Sequence, residues 1–321
     1  MAEKTFKIIR LENLSPLHIG TGTENYYVSS AYLHSDIISS ALASVGIQIG
    51  LLNASQIENF MNSFAISSAF PYIGNTYYFP MPVGKILFSD SKYWEDNRKE
   101  LKKLSFINGD SFRNYIEGKP IKVKYIERSK PFDGSQKVVA QRVCINEEDN
   151  QATPFFFEWN FYNYNCGLYF IIDCEESYLG KIIKPLFERL GEFGIGSDRN
   201  IGGGKFTISE AVIDIPIVND SNQTMLLSSY IPTESELIEL DLQNSNYTLI
   251  QRGGFIAGSE KERFRHLRKK TIYMFTAGSI FNTTANIIGK VENKIAPDYP
   301  DIHSVYRSGH ALTIKIKSQQ I

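Results

Sequence analysis

Apolar residues along the chain change their spacing several times, and each change predicts an element. Phe6–Leu14 (FKIIRLENL) alternates and reads as a strand. Ser15–Thr23, with Pro16, Gly20 and Gly22, is turn-rich. Ile37–Ile47 is an apolar helix behind His34-Ser35-Asp36, where Ser35 or Asp36 is the expected N-cap. Residues 55–65 read as a second short helix. Phe70–Phe88 holds Pro71, Pro80, Pro82 and several aromatics, as in short strands or an extended loop. Residues 92–140 are polar, lysine-rich and weakly periodic, the pattern of an insertion projecting from a domain. Phe155–Trp159 and Gly167–Asp173 read as strands, Tyr178–Leu190 as a helix and Lys205–Ile215 as an alternating strand.

In order, these elements match a βαββαβ ferredoxin-like unit with a long insertion in its middle. Residues 216–223 (PIVNDSNQ) are polar and turn-prone, a candidate linker. Beyond them lie strand-like Tyr247–Arg252, a charged helix from about 259, strand-like Ile272–Phe275 and a final strand, Ala311–Lys317. The expectation is an α+β fold of two ferredoxin-like (RRM-like) domains. The first spans 1–215 with its insertion at about 92–150, and the second, reduced, spans 216–321.

Composition narrows the class. At 321 residues, 42% hydrophobic and 13% aromatic, the chain has material for two cores. No apolar run approaches the roughly 20 residues of a membrane span, and MAEKTFKII enters strand-like sequence without a signal-peptide core. Cys144, Cys166 and Cys174 lack CxxC spacing, which favours a reducing compartment and disfavours a disulfide framework or zinc knuckle. A cytoplasmic protein without membrane contact is expected. Net charge is −1, yet stretches 119–142, 181–205 and 259–270 together hold 18 Lys/Arg against 7 Asp/Glu, leaving 16 against 28 elsewhere. Segregated charge suits one basic face and one acidic face.

The sharpest chemical signal is GEFGIGSDRNIGGGKF at 191–206, with six glycines in its first fourteen residues. It runs helix, loop, strand, whereas nucleotide loops run strand, loop, helix, and GxxxxGK[ST] is absent. The expected ligand is an RNA backbone. Gly194, Gly196, Gly202, Gly203 and Gly204 would give amides room against phosphates, while Arg199 and Lys205 supply charge. Ser35 and Ser39, at a helix N-terminus, are further expected contacts, as are His18 and, on the basic run KERFRHLRKK, Arg265, Arg268 and Lys269. Tyr26, Tyr27, Tyr77, Tyr78 and Phe79 could stack on bases, though such residues more often build cores. His18 or His34 would also suit a metal-independent endoribonuclease, since attack by a 2′-OH needs a base and an acid near neutrality. His266, His303 and His310 have no metal-ligand spacing. No catalytic residue, metal or cofactor is assigned.

These motifs, in order, resemble the RAMP superfamily of CRISPR-associated RNA-binding proteins. SPLHIGTG (15–22) resembles its first-strand exit, LHSDIISSAL (33–42) its HSD-type first helix and FGIGSDRNIGGGKF (193–206) its signature glycine-rich loop. RGGFIAG (252–258), KKTIYMFTAGSIF (269–281) and VYRSGHAL (305–312) are similar to C-terminal blocks of one branch, the fourth subunit of the type III-A Csm complex. AQRVCIN (140–146) departs from the ARNRIDR common in relatives. The resemblance implies a non-catalytic subunit capping the 5′ repeat-derived tag of a CRISPR RNA (crRNA). Its neighbours would be the large polymerase-like signature subunit and a backbone RAMP subunit. The 92–150 insertion would be a thumb-like hairpin against the guide. A third reading is a backbone RAMP subunit whose Asp133 supports metal-dependent cleavage.

Overall fold

The computed structural model describes residues 2–20, 27–30, 33–122, 134–145, 151–256, 262–264 and 266–318. The chain runs β1 (Glu3–Glu12), α1 (Ser35–Gln48), α2 (Ile57–Asn62), β2 (Phe70–Ile73), β3 (Thr76–Pro80), α3 (Ser91–Leu101), β4 (Phe106–Asn108), α4 (Gly109–Ile116), β5 (Ser135–Ile145), β6 (Ala152–Tyr162), β7 (Cys166–Asp173), α5 (Lys184–Phe193) and β8 (Thr207–Pro216). It continues with β9 (Gln223–Leu226), α6 (Glu234–Glu239), β10 (Asp241–Asn246), β11 (Leu249–Arg252), β12 (Ile272–Phe275), β13 (Ile280–Asn282) and β14 (Thr313–Ile316).

The main sheet is antiparallel with strand order β4-β3-β2-β7-β1-β8. At its centre Lys7 of β1 registers with Ile172 of β7 on one side and Val212 of β8 on the other. Alternation sends β1 side chains both ways: Ile9 and Leu11 to one face, Phe6 and Ile8 to the other. The continuous apolar run of β7 does likewise, with Leu168, Phe170 and Ile172 opposite Tyr169 and Ile171. On the first face Ile38 and Leu42 of α1 pack with Leu186, Phe187 and Leu190 of α5. A turn of π-helix, Leu179–Ile183, leads into α5 just before Pro185, which lacks the amide that a regular turn would use.

The second face is covered by two elements the sequence had placed elsewhere. One is α4, whose Phe112, Tyr115 and Ile116 are buried on it. The other is the C-terminal sheet, ordered β10-β13-β9-β14, which contributes Met225, Ile280 and Ile314 to the same cluster. Val218, inside the candidate linker 216–223, is buried there too. The two halves therefore share a core, because a sheet apolar on both faces must be covered on both. A smaller cluster, including Leu226, Tyr230, Phe275 and Phe281, belongs to the C-terminal half alone.

The stretch 92–150 thus divides. Its first part folds back: β4 joins the main sheet, and Leu101, Ile107 and Phe112 are buried. Dense lysines hid the i, i+3, i+4 spacing of Phe112, Tyr115 and Ile116. The projecting part is a ribbon of β5 and β6, registered from Ser135↔Tyr162 to Ile145↔Ala152 and mostly exposed along β5. Paired bonds of 2.9 Å between Leu17 and Asn160 tether it to the turn after β1. The helix expected from about 259 is a short 3₁₀ turn over Glu262–Phe264, while 257–261 and 265 lie outside the described residues. Tyr26 and Asp133 also lie outside them. No described helix is long and apolar enough to cross a membrane.

Phe112 stacks on Phe79 with centroids 4.0 Å apart. Phe112→Ala should therefore cost about 3–5 kcal/mol in urea denaturation; a loss below about 1 kcal/mol would place α4 outside the core.

Candidate functional site

The glycine-rich loop leaves α5 at Gly194, passes a 3₁₀ turn (Arg199–Ile201) and enters β8. Most of its amides are bonded within the chain. Ile195 N–H donates to Gly204 O at 2.9 Å, Gly203 to Asp198 O at 3.1 Å, Gly204 to Pro16 O at 2.9 Å and Ser197 to His18 O at 3.0 Å. The Lys205 amide donates to Ser15 Oγ at 2.7 Å. Of the five glycines expected to open amides toward phosphates, Gly194, Gly202, Gly203 and Gly204 give theirs to the chain's own carbonyls, whereas the amides of Gly196, Asp198, Arg199 and Asn200 have no partner among the described residues. Gly204, at φ +66, has Ile195 O 1.8 Å from where a Cβ would stand, and at Gly196 a Cβ would meet His18 O at 2.4 Å. The glycines let the loop fold tightly on itself and on residues 15–18. Exposed side chains at Arg199, Asn200, Ile201 and Lys205 point outward. Arg199 and Lys205 have no acidic partner among the described residues. Of the two expected anchors, Phe206 is buried and Phe193 is 37% exposed.

The β5–β6 ribbon closes over this loop. Arg142 ion-pairs with Asp198, and its guanidinium lies 4.4 Å from the Phe157 ring centroid and 5.3 Å from that of Trp159. Trp159 also faces Gly203, where a Cβ would sit 2.9 Å from its ring. His18 is 1% exposed; its Nδ1 donates to Glu158 O at 2.7 Å and its ring packs 4.3 Å from Phe157. The Glu158 carboxylate accepts from Lys137 Nζ at 2.6 Å and from the Ser29 amide at 3.1 Å. His18 therefore sits beneath the loop as part of its floor, which corrects the expectation of a contact at a ligand face.

A second group forms at the start of α1. The N-cap position is His34, without a side-chain cap bond, so neither Ser35 nor Asp36 caps the helix. Asp36 is fully buried and ion-pairs with Arg252, whose Nε is 3.1 Å away, and with Arg307. Arg307 Nη2 also donates to Gly253 O at 2.9 Å. Ser35 Oγ accepts from the Ser229 amide at 2.9 Å, and Ser39 Oγ donates to Ser35 O at 3.0 Å. Both serines are buried. The C-terminal half occupies the helix N-terminus where an anion was expected and buries both expected serine contacts, Ser35 and Ser39.

Electrostatics follow from this burial. For Asp36, desolvation works against the charged form, yet the Arg252 and Arg307 guanidiniums overcome it and hold the carboxyl at about 2. Burial, with the two arginines, lowers His34 to about 4 against the pull of Asp36. Lys269 is lowered to about 8 by burial and by Arg307 and Arg252, again against Asp36. Arg268 is exposed and lies 4.9 Å from the Phe255 ring centroid; Arg265 lies outside the described residues. Among the described residues no group of three or more His, Cys, Asp or Glu could hold a metal ion.

The expected residues thus fall into two groups built by different elements. Sequence reasoning missed Arg142, Asp198, Phe157 and Trp159 in the first group, and Arg252 and Arg307 in the second. The last two lay in motifs already noted, but nothing in those motifs pointed to Asp36.

Two family models match most of the chain. The family model of the RAMP superfamily matches residues 10–207, and that of the CRISPR Csm4 C-terminal domain matches 219–316. The chain is similar to the CRISPR system Cms protein Csm4 of Mycobacterium tuberculosis, 27% identical over 69% of this chain and 70% of that one. It is 25% identical to the protein of the same description from Thermococcus onnurineus, over 67% and 72%. Its fold is shared with a chain of a Csm1-Csm4 cassette in complex with cA4, at TM-score 0.64 and 18% identity over 98% of both. A chain of the Csm3-Csm4 subcomplex in the type III-A CRISPR-Cas interference complex matches at TM-score 0.60 and 19% identity, over 97% and 100%.

Asp36→Asn should destabilise the chain by about 3–5 kcal/mol, because two buried arginines lose their counter-charge; urea denaturation would show it, and a change within about 0.5 kcal/mol would refute the pairing. A second expectation concerns pH. Between pH 6.5 and 4 the unfolded chain protonates His34 while the folded chain keeps it neutral. Stability that is complete above pH 6.5 should therefore fall, by about 3 kcal/mol at pH 4 from this group. Denaturation of His34→Gln across that range should show a correspondingly flatter profile.

Proposed function

The chain belongs to the RAMP superfamily, and from that premise we propose that it is the fourth subunit of a type III-A Csm effector. There it holds the 5′ repeat-derived tag of the crRNA and joins the large signature subunit to a backbone RAMP subunit. The match of 219–316 to the CRISPR Csm4 C-terminal domain supports this choice within the superfamily. So do the relatives of that description and the neighbours solved with Csm1 and with Csm3. The strand order β2-β7-β1-β8, with α1 and α5 on one face, supports reading residues 1–215 as a ferredoxin-like unit. The reduced sheet of 216–321 is read as a second such unit, and the β5–β6 ribbon as the thumb-like hairpin. A crRNA-bound effector works where RNA is, in the cytoplasm.

The observation that carries the RNA reading is the loop itself: a backbone tied down at both ends of its turn, with Arg199 and Lys205 presented outward and without carboxylate partners among the described residues. Rigid display of cations suits a flexible polyanion, because only the RNA is ordered on binding. Gly194, Gly196, Gly202, Gly203 and Gly204 serve by shaping that display. Arg268, beside exposed Phe255, is a second contact, with Lys269 behind it. Arg265 is kept in the proposed set on sequence alone. The chain makes and breaks no bond in this reading. His18 is committed to the Glu158 carbonyl and His34 is held neutral in a buried cluster, which disfavours a 2′-OH-directed nuclease.

The test is to assemble the chain with its neighbouring subunits on a 5′-labelled precursor crRNA, crosslink, and map. Crosslinks from the tag to 199–205, with RNA uncut in Mg²⁺, are expected; a cut lost in His34→Ala would overturn the scaffold reading. Replacing Arg199 and Lys205 together by Ala should lower the slope of log affinity against log salt by about 1.4, two single-strand phosphate contacts. An unchanged slope would remove the loop from the interface.

A further inference from the structure

Asp198 is one of few non-glycine residues here with a left-handed backbone, at φ +58. It stands at the entry to the turn that displays Arg199. Its carbonyl accepts from Ile201 N at 3.2 Å and Gly203 N at 3.1 Å, so its position sets the whole turn. Within the loop nothing holds its carboxylate. That anchor comes from the β5–β6 ribbon, 56 residues away in sequence, where Arg142 pairs with it. Arg142 is itself fixed from below by Phe157 and Trp159, and Trp159 packs against Gly203 at the far end of the same turn. Stacking on two rings removes rotamer freedom from the guanidinium, so the ion pair acts from a rigid base.

We propose that Arg142 is a positioning residue for RNA binding: through Asp198 it holds the glycine-rich loop in the shape that presents Arg199, and so couples the ribbon to the loop. This rests on the reading that the loop binds RNA. The charge of Arg142 is consumed by Asp198, so Arg142 adds no phosphate contact of its own. A residue acting this way changes affinity without changing the number of counterions released.

The experiment measures binding of the full-length chain to a 5′-labelled single-stranded repeat-derived RNA by fluorescence anisotropy over a salt series. Arg142→Gln keeps much of the stem and loses the charge; Asp198→Asn loses the other partner. Each should weaken binding about tenfold at fixed salt with the salt slope retained, and the double variant should be no weaker than either single one. Arg142→Lys, which restores the charge, should recover binding to within about threefold. By contrast, Arg199→Ala should reduce the slope by about 0.7. Three results would overturn the proposal: Arg142→Gln lowering the melting temperature with affinity unchanged, a slope lost as in Arg199→Ala, or additive effects in the double variant. Should Arg199→Ala and Lys205→Ala leave affinity and slope alone, the loop reading fails first and the positioning role falls with it.

Discussion

One carboxylate carries the register between the two halves of this chain. Asp36 lies in the first turn of α1, on the helical face of the N-terminal sheet, and both of its partners, Arg252 and Arg307, come from the C-terminal half. Removing three charges from water is costly, and only close pairing repays it. The arrangement therefore tolerates little relative sliding. A hydrophobic contact would hold the halves together with less directional demand; an ion triad fixes which groups must meet. The shared cluster of Phe6, Ile8, Met225 and Ile314 supplies apolar burial at the same junction. Three sequence blocks, HSD at 34–36, RGG at 252–254 and YRSG at 306–309, have their physical reason in this convergence.

The loop follows a comparable logic at smaller scale. Glycine density usually suggests mobility, but here positive φ and close backbone approach let the segment hydrogen-bond to itself and to residues 15–18. A loop satisfied in this way holds a fixed shape, with the amides of Gly196 and 198–200 left over. It also carries side-chain charge on that frame. His18 belongs to that frame: its backbone carbonyl takes the Ser197 amide, and its ring is held by Glu158 O.

Elements with one clean period were legible in the sequence: β1, α1, β7, α5 and β8, and with them the helix–loop–strand order of the glycine segment. Elements whose apolar residues sit among lysines were not. In α4 only Phe112, Tyr115 and Ile116 are needed to reach the core, and three positions do not stand out in a charged stretch. Within the ribbon, Phe155–Trp159 of β6 was legible as a strand, whereas β5 is exposed along most of its length and shows no core-facing alternation to read. The glycine segment was legible as a special backbone, and its tertiary contacts were not. Glycine count locates a special backbone, yet whether it serves a ligand or the chain's own carbonyls depends on tertiary neighbours such as Pro16 and His18. The Asp36 pairs, separated by 216 and 271 residues, leave no local signature at all.

Net charge was the weakest guide, and pairing explains why. A formal −1 describes the whole chain, but a polyanion meets unpaired cations, not totals. Of the cations at 181–205 and Arg142, three are already taken: Lys184 by Glu210, Arg189 by Glu192, Arg142 by Asp198. Their carboxylates neutralise them in any count, and they add little to the local field. Arg199 and Lys205 have no carboxylate partner among the described residues. Two such cations give the loop a local basic character that a whole-chain count of −1 does not show.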